Sequence, residues 1–468
     1  MPGRSMRIEF VNHASFVIEA QGVRLISDPW LDGTAFDESW ALLARSTFRH
    51  ADFASITHIW FSHEHPDHFH PPTLRRIPPE VRARITVLYQ RTVDRKVVEF
   101  CADLGFAAVR ELPPDEWVEL APGFDVLCTP FAGFQDSWLC VRTPGATLLN
   151  LNDCPVFERE QARAIRHRVG PIDVLATQFS ISAWDGNAEE LARRRSGARK
   201  MLARAIMHCQ EFEPRYVLPI ASYVWFCHEE NAFMNEGFLP LAEVVGELAR
   251  GSRAKPVPMY PGDVWSVGQD LDPEPALARY ARDQAEVATR PRAAARRVGP
   301  EELIAESRKY ARAMSAGSDP LRHRLRCAAA SVRLRGRRAG RLGALATLAW
   351  RALSPEPATI HVVDHAQSYA FDPLRGLVPI ERDAARCDVS LSSQALAYAF
   401  RFLWGGETLL FNGRFREGRA DGKALLFDYF HLAGARNSGA TARWSSLPLD
   451  IARRVRRSVV RRPRVPTS

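Results

Sequence analysis

Three histidines and an aspartate fall within six residues, in Ser62-His63-Glu64-His65-Pro66-Asp67-His68, directly after the apolar run Ile56 to Phe61. The apolar run predicts a strand, which places the motif on the loop at that strand's C-terminal end. A loop there can bring several imidazoles and a carboxylate to one point, whereas a helix could do so only at i, i+3 or i+4 spacing. Such crowding is costly unless a cation compensates it, and neutral imidazoles with ionised carboxylates suit zinc or iron. The cysteines, at 101, 128, 140, 154, 209, 227, 327 and 387, include no C-x-x-C pair. They read as free thiols and point away from a disulfide framework or a structural zinc knuckle.

A chain of 468 residues predicts two or three domains at about 150 residues each. With 46% hydrophobic and 25% charged residues, the composition excludes a mainly disordered or fibrous protein. No run reaches the roughly 18 apolar residues of a membrane span, and Met1-Pro2-Gly3-Arg4 leads into polar sequence without a signal core. A cytoplasmic location is therefore expected.

Short strands are predicted at 6–10, 15–20, 23–27, 56–61, 84–89, 124–129, 137–142, 146–151, 173–178 and 215–220, with helices near 92–104, 156–168, 187–210 and 239–250. This is an α/β pattern of sheets covered by helices. Prolines cluster between 252 and 300, which reads as an interdomain linker, so a first domain is expected over 1–270 and a linker with a basic helical region over 271–354. A small α+β domain follows at 355–435, with strands near 358–364, 368–372, 387–392 and 408–414 and helices at 393–403 and 423–433. Residues 436–468 form a basic tail.

The net charge is +9. Seven arginines lie between 453 and 464, and nine lie between Arg322 and Arg351 without one carboxylate. Such runs either attract an anionic membrane surface or form solvated faces. Nucleic acid is the lesser option, because no aromatic residues interleave with the basic ones.

The histidine motif resembles the first metal-binding motif of the metallo-β-lactamase superfamily, H-x-H-x-D-H at the end of a strand. Further matching stretches are Asn12-His13-Ala14-Ser15-Phe16, Ser27 to Phe36, Pro71 to Leu74, Leu149-Asn150-Leu151-Asn152-Asp153-Cys154, and Pro219 to Tyr223 leading to His228. Within the superfamily the likeness is to the catalytic part of CMP-N-acetylneuraminate hydroxylases and related lactonase-like hydrolases. The resemblance implies an αββα sandwich holding two divalent metal ions, with a smaller C-terminal α+β domain. His63, His65 and His68 match first-motif ligands, Asp67 the aspartate of the second metal, Asp153 the bridging carboxylate and His228 the last histidine. The superfamily usually supplies one more histidine before Asp153, yet residues 69–152 contain only His70. Asp136, or Gln135 beside it, is the candidate replacement, and an oxygen ligand there favours iron or manganese over zinc. His13 and Asp28 are candidates to hold the second ring nitrogen of a ligand. His13 and Asp67 are the candidate catalytic side chains.

A dinuclear centre of this kind suits hydrolysis with a metal-bound hydroxide, as in a lactonase, phosphodiesterase or amidase. With redox-active iron it suits hydroxylation. The hydroxylase likeness and the missing histidine favour an iron-dependent monooxygenase acting on an acyl- or nucleotide-linked small molecule. The related hydroxylases carry a Rieske cluster, which needs C-x-H and C-x-x-H pairs, and this sequence has none. Electrons are then expected from an external ferredoxin or reductase. The order of elements over 387–414 resembles sterol-carrier-like domains; the alternative for this region is a domain that only packs or dimerises.

Overall fold

The computed structural model describes residues 6–131, 135–331, 355–419 and 422–437. The tail at 436–468 lies almost wholly outside the described residues, as do most of the basic run 322–351 and Phe134 of the loop before Asp136. Two compact units divide the chain, residues 1–293 and 294–468.

The first unit contains two seven-stranded mixed sheets flanked by helices, the layering of an αββα sandwich. One sheet has the order Val264–Ser266, Arg7–Asn12, Ser15–Ala20, Val23–Ser27, His58–Trp60, Thr86–Gln90 and Ala108–Leu112. The other runs Lys255–Pro256, Tyr216–Ile220, Val174–Gln178, Thr147–Asn152, Ser137–Arg142, Phe124–Pro130 and Trp117–Ala121. Each sheet joins an antiparallel meander to a parallel half. The central parallel strands are apolar and largely buried, Val174–Gln178 entirely so, because helices or the facing sheet cover both sides. Their C-terminal ends open into the loops that carry His63 to His68, Asp153 and Ala221. Such strand ends are where open α/β sheets place ligands.

Among the non-glycine residues at strand ends that adopt left-handed backbone are His13 (φ 42°), Asp28 (φ 38°), Asn152 (φ 55°) and Ala221 (φ 52°). Each turns the chain sharply within one residue of its strand, and the amide of Ala221 donates to the His13 carbonyl at 2.9 Å. Side chains that would otherwise follow the pleat are thereby re-aimed toward one edge of the sandwich.

Residues 271–293, which the sequence reading puts at the start of a linker, include the helix Glu274–Glu286 inside the first unit. Its Tyr280 is fully buried, stacks on Tyr223 with centroids 4.4 Å apart, and donates from its hydroxyl to the Met259 carbonyl at 3.1 Å. Tyr280→Ala is expected to cost about 3–5 kcal/mol by leaving a cavity. Chemical denaturation of the variant checks this.

The second unit has a five-stranded sheet ordered Gly376–Ile380, Gln367–Asp372, Ala358–Val362, Val389–Leu391 and Arg416–Glu417. An aromatic core of Tyr310, Phe371, Phe400 and Phe430 packs inside this unit. The strand expected at 408–414 is instead the helix Gly405–Asn412, which ends at Gly413 in left-handed backbone (φ 67°). The apolar run Leu409-Leu410-Phe411 carries no period of its own, and only packing decides its form. Among the described residues no helix is long and apolar enough to cross a membrane.

Candidate metal centre

The site grows from the end of the strand His58–Trp60. Ser62, just beyond it, ties the two sheets together, its carbonyl accepting from the Ser137 backbone amide at 3.1 Å, the Ser137 hydroxyl at 2.6 Å and the Gln90 side-chain Nε2 at 3.1 Å. Asp28, fully buried, accepts from the Ser62 amide and the Ser62 hydroxyl, both at 2.8 Å, and from the Asn152 side chain. The same carboxylate lies 3.0 Å from His68 Nδ1. An ionised carboxylate can only accept, so His68 Nδ1 carries the proton and Nε2 faces the cluster.

Two groups of side chains converge there, each with ligand atoms within 4.8 Å of one another: His13, Asp67 and His68, and His63, His68 and Asp153. His68 belongs to both, with Nε2 at 3.2 Å from Asp67 and 3.5 Å from Asp153. His13 Nε2 is 3.3 Å from Asp67, and His63 Nδ1 is 3.7 Å from Asp153. His65 abuts His63, with Nδ1 at 2.8 Å from Nε2, and stands outside both groups.

Electrostatics show what the cluster lacks. Burial works against the Asp67 carboxylate, yet His68 and His13 hold it well below the usual range. Burial likewise opposes the Asp153 carboxylate, and His63 and His68 overcome it. His68 is held above its ordinary value against burial, by Asp67 and Asp153. His65 is pushed down to about 4 by burial, with His63 adding to the effect. One imidazole thus supplies positive charge that two buried carboxylates demand. A bound cation would supply it instead and leave His68 neutral. Asp67 Oδ1 and Asp153 Oδ1 are buried without a hydrogen-bond partner among the described residues, which fits oxygen ligands awaiting a cation. The two His/Asp groups are consistent with a dinuclear metal site.

The remaining sequence candidates lie elsewhere. Asp136 stands outside both groups, though within electrostatic reach of His63 and Asp153. Burial pushes its carboxyl up to about 6 against the pull of His63, and the Asp153 charge adds to the rise. His228 is also outside both groups, in a turn where its amide donates to Asn231 Oδ1 at 3.1 Å and its Nδ1 accepts from the Glu230 amide at 3.2 Å. His70 caps the helix Pro71–Arg75 by accepting from the Thr73 amide, so it does not replace the missing histidine. His13, expected to hold a ligand's ring from behind, instead aims its own nitrogen into the cluster.

Ser62 and Asn152 are absent from the sequence candidates although both hold Asp28. Asn152 is adjacent to Asp153 and polar at the end of an apolar strand, a readable signal; Ser62 has no such mark.

Residues 7–119 match the model of the beta-lactamase superfamily domain. The chain contains a metallo-β-lactamase superfamily domain. The cytidine monophosphate-N-acetylneuraminic acid hydroxylase of Danio rerio is 24% identical over 254 residues, covering 49% of this chain and 40% of the relative. A metal-dependent hydrolase of Pyrobaculum aerophilum is 25% identical over 158 residues, covering 32% of this chain and 63% of the relative. Among solved structures, the diiron β-hydroxylase CmlA from Streptomyces venezuelae is similar at 17% identity with a TM-score of 0.40, covering 57% of this chain and 55% of that one. The metallo-β-lactamase domain with its surrounding sandwich thus spans less than half the length of the hydroxylase it matches.

Proposed function

We propose that this chain is an iron-dependent monooxygenase that hydroxylates an acyl- or nucleotide-linked small molecule with electrons from an external ferredoxin or reductase. The observation that carries the reading is the ligand set: Asp67 and Asp153 supply buried, unsatisfied carboxylate oxygens beside His13, His63 and His68. A set of three imidazoles and two carboxylates suits iron, and zinc or manganese would fit it as well. Similarity to a hydroxylase over about half the chain supports the same direction.

Iron bound at such a site would supply binding and reduction of dioxygen, whereas zinc or manganese would supply a water of lowered pKa. The chain's own residues do the positioning. Asp28 fixes the ring of His68 through Nδ1, and Ser62 and Asn152 fix Asp28 in turn. His13, His63 and His68 are each 1% exposed, so charges among them interact strongly, while Asp153 keeps 18% of its side chain exposed.

The hydrolase reading is favoured by the similarity to the metal-dependent hydrolase of Pyrobaculum aerophilum. The two readings separate on oxygen. Iron-loaded protein supplied with acyl or nucleotide-linked candidates is expected to form product only with dioxygen and an added electron donor, with label from oxygen gas in the product. Sustained turnover under argon by zinc or manganese protein, with no reductant, overturns the monooxygenase and promotes the hydrolase.

A further inference from the structure

Arg204 lies on the helix Leu191–Phe212, one turn before His208. His208 pins that helix to the segment leaving Asp153: its Nε2 lies 2.8 Å from the Val156 carbonyl, and its Nδ1 lies 3.0 Å from Thr177 Oγ1. Residues four apart share a helix face, so Arg204 projects over the same segment. Its guanidinium carbon sits 5.3 Å from the Phe157 ring centroid.

Among the described residues, its hydrogen bond is to a neutral group, from Nη2 to Gln178 Oε1 at 2.7 Å. Its Nε is fully enclosed and has no partner there. Two other arginines of the helix are paired with carboxylates, Arg193 with Asp185 at 3.1 Å and Arg199 with Glu243 at 2.9 Å. Arg204 has no such ion pair among the described residues. Burial disfavours its charge, and the Asp153 carboxylate favours it more than that of Asp136 does. Gln178, its partner, donates in turn to the Ala221 carbonyl at 3.4 Å, and the Ala221 amide donates to the His13 carbonyl at 2.9 Å, so the partly buried guanidinium is tied to the edge of the metal centre without a direct anionic partner among the described residues.

We propose that Arg204 is the docking group for an oxyanion, a carboxylate or a phosphate, carried by the molecule that reacts at the metal centre. The assignment rests on the reading of that cluster as a reaction centre. A guanidinium presents planar N–H groups that match both anions, and it keeps its charge where burial would neutralise an amine. It narrows the substrate class to anionic molecules and makes Arg204 a specificity-determining residue.

Calorimetric titration tests this with two probes, inorganic phosphate and acetate, on metal-loaded and metal-free full-length protein. Arg204→Gln is expected to weaken at least one anion by about tenfold or more. Arg204→Lys should retain part of the affinity, and metal content should stay unchanged in both variants. Loss confined to phosphate identifies a phosphate-bearing molecule, and loss confined to acetate a carboxylate. Equal anion affinity in wild type and Arg204→Gln overturns the assignment, as does wild-type protein that binds neither probe. A variant with altered metal content but intact anion affinity overturns it too, leaving Arg204 as a counter-charge to Asp153 and Asp136. Should no metal bind at all, the enzymatic reading fails, while the metal-free titration still reports on Arg204. Thermal melting of both variants checks that they are folded.

Discussion

His68→Gln is expected to remove both metal ions, lowering affinity at each position by more than about 100-fold. His68 is the side chain common to the two converging groups, so its loss deprives both at once. Glutamine places its amide where the ring's Nε2 stood, whereas His68→Asn places one where Nδ1 stood and so retains the bond to Asp28; comparing the two variants separates loss of a ligand from loss of the hydrogen bond that His68 makes. His65→Ala should cost much less, because His65 lies beside His63 and outside both groups. Elemental analysis after dialysis, followed by metal titration, measures the difference. Equal losses in His68→Gln and His65→Ala would mean that the centre is not built around His68. Circular dichroism of the metal-free proteins confirms that each variant keeps its fold.

The second large effect is expected at Asp28, a fully buried carboxylate that belongs to neither converging group. It accepts from the Ser62 amide, the Ser62 hydroxyl and Asn152 while facing His68 Nδ1. Asp28→Asn keeps the size and tolerates the left-handed backbone (φ 38°), since asparagine is among the few residues that adopt it readily. It removes the charge and turns one acceptor into a donor that faces other donors. The expected cost is about 3–5 kcal/mol of stability, with a 10- to 100-fold loss of metal affinity of the kind seen when a group behind a ligand is removed. Asp28→Ala should lose about 1–2 kcal/mol more, through backbone strain. Denaturant unfolding of metal-free protein gives the stability, and competition with a chelator gives the affinity. Wild-type metal affinity in Asp28→Asn would show that His68 needs no support from behind.

Both effects depend on residues that differ in how openly the sequence announces them. The histidine motif is legible because its spacing is local: a strand end delivers His63, Asp67 and His68 to one loop whatever the rest of the chain does. Asp153 is legible for the same reason, as the first residue after the strand Thr147–Asn152. Asp28 stands out beside Pro29-Trp30, and the fold brings its carboxylate to 3.0 Å from His68 Nδ1. The alternation of strands and helices already implies a layered α/β unit. Within the second unit, the run at 408–412 is ambiguous until its helix packs.

The sequence by itself determined the chemistry on offer, imidazoles and carboxylates at the ends of apolar strands, because strand periodicity and loop spacing are properties of neighbouring residues. Only the tertiary structure decided which of them meet. His13 reaches Asp67 across 54 positions of chain, by way of a left-handed turn that no local pattern specifies. Asp136 and His228, equally eligible by residue type, stay outside the converging groups, since distance in space is set by sheet order and register. Arg204 shows the same limit from the other side. On its helix it is one arginine among several, and its standing beside Asp153 without an ion pair among the described residues exists only once the helix has packed against the second sheet.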